Sequence, residues 1–263
     1  FEIRVFFQGA DMYQDTVGSI AGTAKTKISF MKSQPGSFFL MSMMAGVFIG
    51  LGACLMLVIG GAMAGEPLQK FFNGLVFSVG LCMVISAGAE LFTGSNLVMT
   101  VGALSKEITW GNALLFWIIC WVGNLAGSVI TGLLFSFTGI PAAGEYAATV
   151  AAGKMAGTPL SLFSKAILCN ICVCVAIWCA SKLKSEGAKI AMAVACVVCF
   201  VSAGYEHSIA NMTYLTIGLL NPAGIEGITL SGMAYNLAVV TLGNMVGGCI
   251  FVAVPYYITG KKK

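Results

Sequence analysis

A chain of 263 residues that is 58% hydrophobic and only 9% charged, with a net charge of +4, falls outside the composition of a soluble domain. Its mean hydropathy is strongly positive, so it reads as an integral membrane protein whose surroundings are a lipid bilayer. The small positive excess follows membrane topology, and no nucleic-acid partner is expected.

In chain order, residues 1–9 lack an initiator methionine and end in Phe-Phe-Gln-Gly, similar to a protease-site remnant, and are set apart from the fold; no cleavable signal peptide is read at the start. Residues 10–36 place Val17, Ile20, Ala21, Ala24, Ile28 and Met31 on one helical face with lysines, serines and threonines elsewhere, the pattern of an amphipathic segment on the cytoplasmic surface. Six apolar stretches follow, at about 37–63, 71–103, 111–137, 160–181, 189–219 and 232–259, each long enough to cross a hydrocarbon core of roughly 30 Å. Residues 138–159 form an outer loop and 260–263 a cytoplasmic tail. With both ends in the cytoplasm, that side receives Lys25, Lys27, Lys32, Lys106, Lys182, Lys184, Lys189 and Lys261 to Lys263, against Lys70, Lys154 and Lys165 outside.

The second and fifth stretches are overlong, and each carries a polar, glycine-containing interruption. One is Ser86-Ala87-Gly88-Ala89-Glu90, running into Leu91-Phe92-Thr93-Gly94-Ser95-Asn96; the other is Ser202-Ala203-Gly204-Tyr205-Glu206, running into His207-Ser208-Ile209-Ala210-Asn211. Each stretch therefore reads as two half-helices, since irregular backbone at membrane depth survives only where it is buried in protein or lines a cavity. A second match, Gly123-Asn124-Leu125-Ala126-Gly127 against Gly243-Asn244-Met245-Val246-Gly247, keeps nearly the same offset: 206 − 90 = 116 and 244 − 124 = 120. Residues 37–137 and 160–259 are thus diverged copies of three spans each, and an odd number of spans forces opposite insertion. The predicted fold is an all-α polytopic membrane protein, an aquaporin-like 3+3 inverted repeat with broken second and fifth helices and a site near the bilayer midplane.

His207 is the only histidine of the chain. An ionisable side chain at membrane depth is costly and points to function; imidazole can pass a proton to a weak-acid anion or lend it positive charge. Thr93, in the matching interruption, is the hydroxyl expected to face it. Half-helix N-termini, near Gly94-Ser95-Asn96 and near Ser208, favour an anion. Lys154, in a loop of alanines and glycines, adds positive charge at a pore mouth. Glu90 and Glu206, with Ser95 and Ser208, are read as structural residues of the helix breaks, the two carboxylates capping freed amides. All ten cysteines lie in or beside apolar segments and read as packing residues; Cys169-Asn170-Ile171-Cys172 has a metal-motif spacing but no second pair, so neither a metal nor a cofactor is expected.

Three segments in order and at matching spacing, Ala87 to Ser95, Ile167 to Ala176 and Gly204 to Met212, closely resemble the formate/nitrite transporter family. The resemblance implies a homopentamer of aquaporin-like protomers in a bacterial plasma membrane, each with a pore for a small monovalent anion. It further implies that His207 is the central pore histidine, Thr93 the threonine on the break of the second helix, Asn170 the asparagine that positions the histidine, and Lys154 the lysine that draws anions to the vestibule. Phe77, Leu81, Leu91 and Phe200 resemble the apolar side chains of two constrictions. The family has formate, nitrite and hydrosulfide branches, and the whole-chain pattern is similar to the hydrosulfide branch.

Two other functional classes have partial signals in the sequence. A hydrolase would pair Ser95 or Ser208 with His207, yet the chain has neither a Gly-x-Ser-x-Gly elbow nor a His-Glu-x-x-His motif, and no enzyme is expected. An aquaporin-like neutral-solute channel is suggested by Asn221-Pro222-Ala223, but this motif occurs once and Asn-Pro is an ordinary turn signal.

Overall fold

The computed structural model describes residues 2–261, with side chains described from Tyr13 onward. Phe1, within the segment read as a tag remnant, and the last two lysines of the tail lie outside the described residues. Eleven α-helices follow in order among them: α1 (Glu2–Ser33), α2 (Pro35–Ala62), α3 (Gln69–Met83), α4 (Phe92–Leu104), α5 (Trp110–Ser136), α6 (Glu145–Met155), α7 (Pro159–Lys182), α8 (Glu186–Ser202), α9 (Ser208–Leu220), α10 (Leu230–Val246) and α11 (Val254–Gly260). Two stretches, Val84–Gly88 and Gly247–Ala253, are π-helical, the second joining α10 to α11. No strand is present among the described residues.

Five helical stretches are long and apolar enough to cross a membrane: Pro35–Ala62, Gln69–Gly88, Trp110–Ser136, Pro159–Lys182 and Leu230–Gly260. The apolar helices α4 and α9 have only 13 residues each, about 20 Å of helix, too short to cross alone. They lie in the interior, with nearly every residue buried. Leu51, Leu114, Leu134, Ile250 and Phe251 are exposed on the surrounding helices, as expected of a surface solvated by lipid.

Small residues let the outer helices close on one another. A Cβ on Gly127 of α5 would collide with the Met43 carbonyl of α2, and one on Gly247 would collide with the Ile167 carbonyl of α7. Val17, Ile20, Ala21, Ala24, Ile28 and Met31 of α1 are buried. The face they form packs on protein, chiefly α4 and α11, so α1 is a strap across the bundle. It is pinned at Tyr13, which stacks on Trp178, itself stacked on Tyr256 with centroids 3.8 Å apart, while Lys182 Nζ lies 5.5 Å from the Tyr13 ring centre. Part of the segment read as an outer loop, 138–159, is helical: α6 buries Ala147, Ala148 and Ala151 against α9, a reminder that an alanine run is as good a helix as it is a loop.

The backbone leaves its helical path at two matching places. Gly88 has φ +81° and Gly204 φ +73°, left-handed values that favour glycine, and each lies two residues before a glutamate. Beyond them the chain is non-helical until α4 starts at Phe92 and α9 at Ser208. The groups so freed are taken by two asparagine carboxamides. Asn124 Oδ1 accepts the Phe92 N–H at 2.9 Å, and its Nδ2 donates to the carbonyls of Ser42 at 2.7 Å and Glu90 at 2.8 Å. Asn244 repeats the pattern, accepting from Ser208 N–H at 2.9 Å and donating to Ala166 at 2.8 Å and Glu206 at 2.9 Å. Alongside, Glu90 N–H donates to Met41 and Glu206 N–H to Lys165. Because Asn124 caps Phe92, α4 begins two residues before Gly94, and Thr93 stands in its first turn instead of in the interruption.

Asn124→Ala and Asn244→Ala each strip partners from buried backbone groups, at about 1–3 kcal/mol per group left unpaired. Each is expected to lower the thermal denaturation midpoint in detergent by several degrees, at roughly 2–4 °C per kcal/mol. Unchanged midpoints would show that the breaks hold without these carboxamides.

Candidate functional site

The breaks bring Thr93 and His207, 114 residues apart, into contact: Thr93 Oγ1 lies 2.9 Å from His207 Nε2, and both side chains are buried. The other ring nitrogen is already engaged. His207 is the N-cap of α9, and its Nδ1 accepts the Ala210 N–H at 3.1 Å. An accepting Nδ1 carries no proton, so a neutral ring carries its proton on Nε2 and donates it to Thr93 Oγ1. The threonine hydroxyl then retains its own proton for a further acceptor.

Apolar rings flank this pair. Phe200 stacks on the imidazole, centroids 5.9 Å apart and planes at 16°, and Phe77 meets Phe200 edge-on at 6.2 Å. Phe77, Phe200 and His207 border a cavity of about 490 Å³ that also takes in Lys154, Glu206 and Tyr214. Leu81 and Leu91 are buried but do not line this cavity. A larger hollow of about 810 Å³, near Tyr146 and Glu145, has neither His207 nor any lysine in its lining and is not the site.

Lys154 projects from α6 and is not a free cation. Its Nζ donates to Glu206 Oε2 at 2.9 Å and lies 5.5 Å from the Tyr214 ring centre, while Asn211 Nδ2 donates to the same Glu206 oxygen at 2.6 Å. Asn236 bridges the group, donating to the Lys154 carbonyl and accepting from Asn211. The first break has an equivalent that the sequence reading missed: Lys27 of α1 donates to both carboxylate oxygens of Glu90 at 2.6 Å. The available signal was the repeat itself, since a buried Glu90 matching Glu206 requires a cation, and Lys27 sits between the core positions Ala24 and Ile28. Both carboxylates therefore pair with lysines instead of capping amides; it is their backbone carbonyls that hold the breaks. Burial of the pairs leaves each cation strongly compensated, because an unpaired charge there would be far costlier.

Asn170 makes no hydrogen bond to His207. Its Nδ2 lies within hydrogen-bond reach of the Thr93 carbonyl at 3.3 Å, Asn96 Oδ1 at 3.0 Å and the Asn244 carbonyl at 2.6 Å, so it positions the threonine and the Asn244 latch. Two thiols read as packing residues also donate to carbonyls near the break, Cys120 Sγ to Glu90 and Cys174 Sγ to Thr93. Ser95 Oγ donates to the Phe92 carbonyl, and the Ser208 hydroxyl is buried without a partner. With His207 Nε2 given to Thr93, neither serine has a base in hydrogen-bond contact. No group of three or more histidine, cysteine or acidic side chains suited to a metal occurs among the described residues.

The arrangement can offer a small anion a directed hydroxyl donor between aromatic rings, reached through a vestibule edged by a compensated lysine. Comparison with known proteins places it. Residues 14–258 match the family described as formate/nitrite transporter. The nitrite transporter NirC of Escherichia coli strain K12 is 35% identical over 255 residues, covering 95% of this chain and 94% of the relative. A solved structure described as an FNT family ion channel superposes with TM-score 0.89 at 34% identity, covering 93% of this chain and 98% of that one. A pentameric formate channel with formate bound gives TM-score 0.74 at 29% identity over 84% of this chain and 96% of that one. The match along nearly the whole length, in sequence and in fold, makes this chain a multi-pass membrane protein of the formate/nitrite transporter family.

Proposed function

We propose that this protein conducts the monovalent anions of small weak acids through a pore in each protomer of a homopentamer. The observation that carries the reading is the Thr93 hydroxyl, left with a proton to donate because His207 Nε2–H already occupies its oxygen. The chain crosses the membrane six times, with α3 and α4 together forming the second crossing and α8 and α9 the fifth. The matching latches on Asn124 and Asn244 support an inverted 3+3 repeat. Both termini lie in the cytoplasm of a bacterial plasma membrane, which puts Lys27 at the inner mouth and Lys154 at the outer one.

An anion is drawn to Lys154 or Lys27, where it competes with Glu206 or Glu90 for the ammonium. From Lys154 it passes toward Thr93 through a gap walled by Phe77 and Phe200. A bare ion faces a large desolvation barrier there, and a neutral or strongly hydrogen-bonded species a much smaller one. The Thr93 hydroxyl supplies that bond, and the polarising Nε2–H behind it strengthens the donor. Names of the relatives support nitrite and formate as permeants; hydrosulfide, to which the whole-chain pattern points, is the third.

In proteoliposomes, uptake of formate, nitrite and hydrosulfide is expected to exceed that of chloride. Thr93→Val removes a hydrogen bond to a charged group, about 1.5–3 kcal/mol, and should lower uptake roughly ten- to a hundredfold, with Thr93→Ser restoring most of it. Water or glycerol flux without any anion flux would replace this reading with a neutral-solute channel. Lys154→Ala should slow uptake from the outer side most at low ionic strength, and Lys27→Ala release to the inner side, because attraction at a mouth is screened by salt. Equal slowing at all salt concentrations would mean that the lysines act only as packing partners of the glutamates.

A further inference from the structure

Cys172 of α7 and Cys199 of α8 meet sulfur to sulfur at 3.9 Å, the one thiol–thiol hydrogen bond among the described residues. Cys199 is exposed and Cys172 half-buried, whereas Cys120 and Cys174 are buried with their thiols given to backbone carbonyls. The pair stands level with the Thr93–His207 contact. Cys172 lies two residues after Asn170, which holds the Thr93 carbonyl, and Cys199 directly precedes Phe200, which stacks on the imidazole. At 1.5 Å of rise per residue, each thiol is within about 3 Å of that partner along its helix. Two thiols in contact can be joined. From 3.9 Å, a disulfide needs the sulfurs to approach by about 2 Å, the scale of a rotation about one Cα–Cβ bond. On its other side α8 packs on α3, where Phe77 meets Phe200 edge-on at 6.2 Å, a ring-to-ring contact. An anion on the proposed route passes that contact only when Phe200 gives way, and Phe200 moves with α8.

We propose that Cys172 and Cys199 form an oxidisable dithiol site whose disulfide, made by a lipid-soluble two-electron acceptor of the quinone class, staples α8 to α7 and holds Phe200 across the route. The effect on transport rests on the anion-pore reading above; the oxidation itself does not. In the reaction two S–H bonds break and one S–S bond forms. The thiols give up two electrons and two protons, and the quinone takes up both pairs to become a hydroquinone. The surroundings select this class of oxidant: Leu168 and Ala195, one turn earlier on α7 and α8, are exposed beside the pair, an apolar surface that a water-borne oxidant reaches poorly. With the staple in place, one residue from Phe200, the ring is held where it touches Phe77.

The test uses the full chain in proteoliposomes as wild type, Cys172→Ser, Cys199→Ser and the double variant, with formate as permeant and a fully substituted, short-tailed benzoquinone as oxidant. Full substitution blocks lasting addition of thiols to the ring. The readouts are mass-spectrometric mapping of the disulfide, and formate uptake before oxidation, after it, and after a membrane-permeant phosphine reductant. In the wild type a peptide linking Cys172 to Cys199 is expected, with uptake falling roughly tenfold and recovering on reduction; the three variants keep their uptake throughout. Thiols that both stay reduced, a linkage that leaves wild-type uptake within about twofold, or an equal loss in the double variant would each overturn the inference and leave the pore reading intact. A wild type that carries no formate even before oxidation would overturn the pore reading and with it the control of transport, while the mapping would still decide whether the dithiol site exists.

Discussion

Everything in this molecule depends on one constraint: a backbone that leaves its helix inside an apolar phase must find other partners for its N–H and C=O groups. Two asparagines meet it. Asn124 and Asn244 each accept the first N–H of a half-helix and donate to the carbonyl of the glutamate before it, while reaching across to a neighbouring helix. Glycine at positions 88 and 204 supplies the left-handed turn into each break. With the backbone satisfied there, α4 and α9 can end deep within the protein and present Thr93 and His207 to each other.

The same constraint fixes the chemistry of the histidine. His207 caps α9 through Nδ1, so the ring nitrogen facing Thr93 is the one that bears the proton. The imidazole thus acts as a positioned donor that orients a hydroxyl, and Lys154 and Lys27 stand apart, paired with Glu206 and Glu90. In the proposed pore, this separation keeps an uncompensated charge out of the region walled by Phe77 and Phe200, where it would either bind an anion too firmly or repel it.

Much of this was legible in the residues because polar groups are rare in so apolar a chain. His207, Thr93 and Lys154 stand out against their surroundings, and the paired Ser-Ala-Gly-x-Glu motifs revealed the repeat. What escaped notice depends on which atoms meet. The Gly123-Asn124 and Gly243-Asn244 pairs read only as marks of the repeat, and only the three-dimensional path shows their amides bridging the breaks. Asn170 was expected to hold the histidine and instead holds the threonine's backbone. Lys27, on a polar-looking strap, is drawn inward by a carboxylate 63 residues away. A stripe of alanines concealed α6, because composition alone does not separate a helix from a loop of small residues.

Since the chain contains one histidine, its ring can be observed without assignment. The most direct measurement is nitrogen-15 NMR of histidine-labelled protein in lipid bilayers at neutral pH, reading the protonation of each ring nitrogen. A neutral ring with its proton on Nε2 is the expected result. A proton on Nδ1, in either the other tautomer or an imidazolium, would contradict the cap on α9 and with it the proposed role of Thr93 as the donor that meets the anion.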